Sequence, residues 1–122
     1  MIKVSLAEFP LMEYIWENAP ISAAKLAIYA EEAFGWKKNT TYTVVKRLVE
    51  RGALSRSEYG WVVQPLITRE EVEHAETQDL ITRVFRGSQK NFLLSFLKRE
   101  EISSEELDEL KRLIAEKENE NR

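Results

Sequence analysis

The sequence predicts a mainly α-helical protein with one small β-hairpin, in which a winged helix-turn-helix domain is followed by a helical dimerisation region. Three observations carry this. The run from Trp36 to Gly52, WKKNTTYTVVKRLVERG, has the periodicity of an amphipathic helix with a basic, hydroxyl-rich outer face. The segment after it, ALSRSEYGWVVQP, reads as two short strands about a Tyr59-Gly60 turn. Beyond Pro65 lie three more helical segments rich in apolar residues. A basic helix followed by a tight hairpin is the order of a recognition helix and its wing.

The elements follow from local signals. Ser5-Leu6-Ala7-Glu8 is a capping box that opens a first helix over about residues 5–18. Leu6, Phe9, Met12, Ile15 and Trp16 form its core stripe, and Pro10 falls in the early turns, where it is least disruptive. Asn18-Ala19-Pro20 breaks the helix, and Ile21 is a minimal strand. Ser22 caps a second helix to about Phe34, packed through Leu26, Ala27, Tyr29, Ala30 and Phe34, with Gly35 as its C-cap.

A third helix spans about residues 39–51, with Asn39 as N-cap and Gly52 as its stop. At about 100° per residue, Thr41, Val45, Leu48, Val49 and Gly52 share one side, the core face. Asn39, Thr40, Thr43, Lys46, Arg47 and Glu50 lie opposite, a polar stripe that a major groove is wide enough to admit. The wing strands are residues 53–57 and 61–64, with Arg56 and Ser57 placed to touch phosphates and Trp61 packing the hairpin.

Pro65 begins a new regime, so the domains divide as 1–66, winged helix-turn-helix, and 67–122, dimerisation. Thr68-Arg69-Glu70-Glu71 is a second capping box, opening a long polar helix to about Arg86. An apolar helix follows over about residues 88–99, after the Gly87-Ser88 interruption. Ser103-Ser104-Glu105-Glu106 is a third capping box; it opens a last helix whose tail, from Glu116, is polar and expected to fray. These helices carry more apolar surface than they can bury against one another, which predicts pairing with a second copy. The residues expected at that interface are Leu80, Val84, Phe85, Phe92, Leu93, Phe96, Leu97, Leu107, Leu110 and Ile114.

Composition narrows the function. The chain has 122 residues, 43% of them apolar, with a net charge of −3. The charge is uneven: residues 37–56 hold Lys37, Lys38, Lys46, Arg47, Arg51 and Arg56 against Glu50 alone, and every other stretch is acidic. There is no Cys, which excludes disulfides and thiolate metal sites, and His74 is the single histidine. With no phosphate loop, no metal cluster and no nucleophile-base pair, the chain is not expected to be an enzyme or to hold a cofactor or metal. No apolar run is long enough to span a membrane and no signal-peptide pattern opens the chain, so a soluble, cytoplasmic protein is expected.

Three stretches in this order, LMEYIWE, TTYTVVKRLVERG and KNFLLSFLKREEISSEELDELKRLI, make the chain resemble the penicillinase-repressor (BlaI/MecI/CopY) family of bacterial transcriptional repressors. The resemblance implies a dimeric winged-helix repressor on a dyad operator. Its third-helix Thr-x-x-Thr-x-x-x-Arg pattern implies DNA contacts at Thr40, Thr43 and Arg47; where the family often has a basic residue, this chain has Asn39. Antibiotic-responsive members are inactivated by cleavage in the apolar C-terminal helix, a position that aligns with Ser95-Phe96, which implies a cognate sensor and protease as partner. Copper-responsive members use a Cys-x-Cys pair, which this chain lacks. The expected DNA-binding set is therefore Lys38, Asn39, Thr40, Thr43, Lys46, Arg47 and Arg56. A winged-helix protein-interaction module that does not read DNA is the alternative.

Overall fold

The computed structural model describes residues 2–122. In chain order the elements are α1 (Phe9–Asn18), β1 (Ile21–Ser22), α2 (Ala23–Phe34), α3 (Lys38–Glu50), β2 (Leu54–Arg56), β3 (Val62–Pro65), α4 (Arg69–Val84), α5 (Gln89–Arg99) and α6 (Ser104–Glu120). The strands form one antiparallel sheet in the order β1-β3-β2. Ile21 pairs with Val63, and Leu54, Ser55 and Arg56 pair with Pro65, Gln64 and Val63. The minimal strand at Ile21 is thus a third strand that ties the wing back to the start of α2. The chain forms two compact units, Met1–Asp79 and Leu80–Arg122. They divide within α4, well past the composition break at Pro65, because Val72 belongs to the core of the first unit.

That core gathers one stripe from each element: Leu11, Met12 and Ile15 of α1, Leu26 and Ala30 of α2, Val45 and Leu48 of α3, Leu54 and Val63 of the wing, and Val72 of α4. Val4 and Ile67 close it from the flanking segments. The α3 stripe is the one that the 3.6-residue period predicts. Gly35 ends α2 at φ 72°, in the left-handed region where a side chain is strained. Ser22, Ser88 and Ser103 each accept a backbone N–H three residues on, capping α2, α5 and α6.

Four expectations are corrected. The Ser5–Glu8 capping box forms reciprocally, with Ser5 N–H donating to Glu8 Oε1 at 2.9 Å and Glu8 N–H to Ser5 Oγ at 3.2 Å. It closes a turn, however, and α1 begins only at Phe9. Leu6 therefore sits in that turn, 81% exposed, and the missing stripe position is filled by Leu11. Asn39 is not the N-cap of α3: Lys37 is, with no side-chain cap, and Asn39 lies inside the first turn. The polar tail is helical beyond Ala115, since α6 continues to Glu120, with Glu105 and Glu106 in its first turn and Lys117 in its last complementing the helix dipole.

A bidentate ion pair joins the two ends of this core. Arg51 Nη1 and Nη2, at the C-cap of α3, donate to Glu8 Oε1 and Oε2 at 2.6 and 2.9 Å. Arg51 Nη1 also reaches the Lys3 carbonyl at 3.3 Å, and Lys3 pairs in turn with Asp79 of α4. A second pair, Arg69 to Glu13 at 2.6 Å, fastens the start of α4 to α1, and Trp16 Nε1 donates to the Ile67 carbonyl at 2.9 Å. No helix is long and apolar enough to cross a membrane among the described residues.

Burial by itself would push the Glu8 carboxyl up, but the Arg51 hydrogen bonds and those from Ser5 outweigh it and hold the carboxyl below its ordinary range. A carboxylate lowered on folding stabilises the fold above its unfolded pKa, and that contribution disappears as the pH falls through the folded value. Wild-type thermal stability is therefore expected to drop below about pH 4.5, the ordinary carboxyl value, more steeply than that of Glu8→Gln. At neutral pH Arg51→Ala is expected to lose about 1–3 kcal/mol by denaturant titration, because Glu8 is then buried without its partner. Arg51 is itself part-exposed, which keeps the loss below that of a fully buried pair.

Candidate nucleic-acid interface

Because Thr41, Val45 and Leu48 face the core, the opposite side of α3 must face solvent. Lys38, Asn39, Thr40, Thr43, Lys46 and Arg47 are all exposed on it. Thr43 Oγ1 donates to the Asn39 carbonyl one turn back, at 2.9 Å. That engages its proton within the helix and leaves the methyl group and oxygen lone pairs for an external partner.

Arg56, on β2, joins this face through two aromatic rings. Its guanidinium lies 3.9 Å from the centre of the Trp61 ring. Trp61 meets Tyr42 of α3 edge-to-face, centroids 5.5 Å apart, and Lys38 Nζ lies 5.7 Å over the Tyr42 ring. The expected DNA-binding residues thus lie on α3 and on the wing strand tied to it. Trp61 does pack the hairpin, as expected; its contact with Tyr42 was missed, because it depends on where α3 and the wing meet in space.

Two residues of this region are not free for a ligand. Arg51, part of the positive window, is engaged by Glu8. Ser57, expected to reach a phosphate, turns into the wing: its Oγ donates to the Tyr59 carbonyl at 2.8 Å and accepts from Val62 N–H at 3.0 Å. Tyr59 itself stands at the wing tip, 89% exposed.

In the second unit, Leu80, Val84, Leu93, Phe96, Leu97, Leu107, Leu110 and Ile114 are exposed, as are Leu94 and Leu113. Phe85 and Phe92 differ: both are half-buried and meet edge-to-face at 5.4 Å, an aromatic contact internal to this unit. Phe96 and Ile102 face Leu110 and Leu113 across a groove between α5 and α6, rimmed by Glu100, Glu101, Glu106 and Glu109. Ser95 is half-buried in the middle of α5, and Phe96 beside it is 53% exposed.

Thr41 carries a different signal. Its side chain is fully buried, and its hydroxyl finds no hydrogen-bond partner among the described residues. A buried hydroxyl without a partner costs about 1–3 kcal/mol. Thr41→Val, which keeps the shape and removes the hydroxyl, is expected to raise stability by about 1 kcal/mol in chemical denaturation. A loss of stability would show that the hydroxyl is satisfied.

The model of the family described as penicillinase repressor matches residues 4–116. The chain is similar to the penicillinase repressor of Bacillus licheniformis, at 26% identity over 96% of this chain and 93% of that protein. It is similar too to the methicillin resistance regulatory protein MecI of Staphylococcus aureus (strain N315), at 24% identity over 94% and 95%. Among solved structures it is similar to the solution structure of the DNA binding domain of the repressor BlaI, with a TM-score of 0.50 and 27% identity over 56% of this chain and 85% of that one. With a family match over nearly its whole length and a winged helix at its N-terminal end, the chain belongs to the penicillinase repressor family.

Proposed function

We propose that this chain is a transcriptional repressor that binds double-stranded DNA as a homodimer at a two-fold symmetric operator. The observation that carries the reading is the outward cationic face of α3 with Arg56 of the wing tied beside it. An α-helix fits the major groove, and this face offers the groups such a groove can use. Arg47 presents a guanidinium able to bind O6 and N7 of a guanine, and the Thr43 methyl fits a thymine methyl. Lys38, Lys46 and Arg56 provide phosphate contacts, while Asn39 lies at the start of α3, which has no side-chain cap and whose dipole favours an anion, and Thr40 offers its exposed hydroxyl. The relatives' names, repressor and DNA binding domain, support the same reading.

Dimerisation uses the apolar side chains of the second unit, which are too many and too exposed to remain in water. A dimer places two α3 helices on one duplex, and linking two half-sites multiplies their affinities. Cutting α5 at Ser95–Phe96 by the protease of a sensing system would sever this assembly and release the operator. A helical peptide bond is a poor protease substrate, so α5 must open locally first.

Selection of bound duplexes from a random pool at physiological salt tests the reading. A two-fold symmetric site with half-sites about one helical turn apart is expected. Only salt-sensitive background binding would favour a protein-interaction module instead. On the selected site, Arg47→Ala is expected to lose about 1–3 kcal/mol of binding and to relax sequence preference, whereas Lys38→Ala weakens all sequences alike and lowers the salt slope by about one. Ending the chain after Arg86 is expected to leave a folded monomer with weak operator affinity. Sedimentation of that fragment as a tight dimer would refute the assignment of the assembly surface.

A further inference from the structure

The turn of the wing contains a residue that its hairpin does not call for. Gly60 and Trp61 both have positive φ, 72° and 47°. Glycine adopts that region freely, but a bulky aromatic residue rarely does, and it stays there only when its surroundings hold it. Asn or Gly would close the same turn without strain. The benefit of tryptophan therefore lies in its ring, which meets both Arg56 and Tyr42.

The four side chains run in the order cation, ring, ring, cation, from Lys38 in the first turn of α3 to Arg56 on β2. Among the described residues, neither Arg56 nor Lys38 forms an ion pair with a carboxylate, so the rings are the contacts that orient these two cations. A two-stranded wing this short is marginally stable by itself, and an unrestrained arginine would lose rotamer freedom on meeting a phosphate.

We propose that Trp61 is a positioning residue: with Tyr42 it holds Arg56 at a set place relative to α3, so that helix and wing meet the DNA backbone as one preorganised bracket. The proposal rests on the DNA-binding reading above. Preorganisation raises affinity by removing an ordering loss at the moment of binding.

The test uses the full chain and a mixed-sequence DNA duplex, since phosphate contacts carry no sequence information. Affinity is measured across a salt series for wild type, Trp61→Asn, Trp61→Phe, Arg56→Ala and the Trp61→Asn/Arg56→Ala double variant, and the Arg56 side-chain NMR shifts are recorded without DNA. Trp61→Asn keeps a residue that tolerates left-handed backbone, so the fold survives. It is expected to weaken binding about three- to thirty-fold, the range of a cation–π contact, and to abolish the ring-current shift of Arg56. Its salt slope is expected to fall toward that of Arg56→Ala. Trp61→Phe, which restores a ring, recovers most of the loss. The double variant binds no more weakly than Arg56→Ala alone, because the two residues act as one unit.

Tyr42→Leu removes the support from the helix side without touching the wing backbone, and it is expected to show the same loss and the same non-additivity with Arg56→Ala. Wild-type affinity in either single variant, or full additivity in the double, overturns the positioning role. Absence of any salt-dependent binding by the wild type, with the Arg56 ring shift intact, would instead overturn the DNA-binding reading and the proposal with it.

Discussion

Everything about the candidate interface depends on how α3 is buried. Thr41, Val45 and Leu48 occupy successive turns of one stripe and are fully buried among α1, α2 and the wing. A helix with one stripe fixed in a close-packed core has no freedom to roll, since a turn about its axis would expose apolar side chains and open cavities beneath them. The polar stripe is thus aimed outward by packing alone. The Glu8–Arg51 pair adds a second restraint at the far end of the helix, where the N–H groups of Arg51, Gly52 and Ala53 donate to the Arg47, Val49 and Leu48 carbonyls. Even the Thr41 hydroxyl, without a partner among the described residues, fits this account: the position is apolar by location, and the methyl of threonine satisfies it while the hydroxyl does not.

The electrostatics of the chain are local. A net charge of −3 would repel a polyanion at long range, yet at physiological ionic strength charges separated by more than about 8 Å are largely screened. Close to the outer face of α3, the local charge is set by the exposed Lys38, Lys46, Arg47 and Arg56. The structure also shows that a count of charges in a window overstates this patch, because Arg51 is turned inward onto Glu8. The acidic residues of the second unit rim its groove and cover the solvated faces of α6. The cationic face of α3 is thus set off from an otherwise acidic chain.

The second unit has the opposite character. Its helices are well capped, but neither α5 nor α6 contains a buried residue. Capping and helix propensity contribute only modestly per helix, and most helical stability in proteins comes from packing an apolar face. Phe85, Phe92 and Phe96 form an aromatic cluster within the unit, yet most of the leucines remain in solvent. The helices of this unit therefore leave much of their apolar surface uncovered by one another.

Periodicity and local signals alone determined much of this protein. The stripe of α3, the Ser22 and Ser103 caps, the Gly35 stop and the hairpin were legible because each depends on residues within a few positions of one another. The same is true of the outward set on α3, since a core face implies its opposite. Long-range geometry was decided only by the tertiary structure. It placed Leu11 rather than Leu6 in the core, because the Ser5–Glu8 box closed a turn instead of starting a helix. It brought Ile21 beside Val63 as a third strand, and Arg51 against Glu8 across 43 positions of chain. It set the Trp61 ring against both Tyr42 and Arg56. No spacing rule encodes these contacts, because they depend on how separate elements cross in space, and that is set by the packing of the whole core.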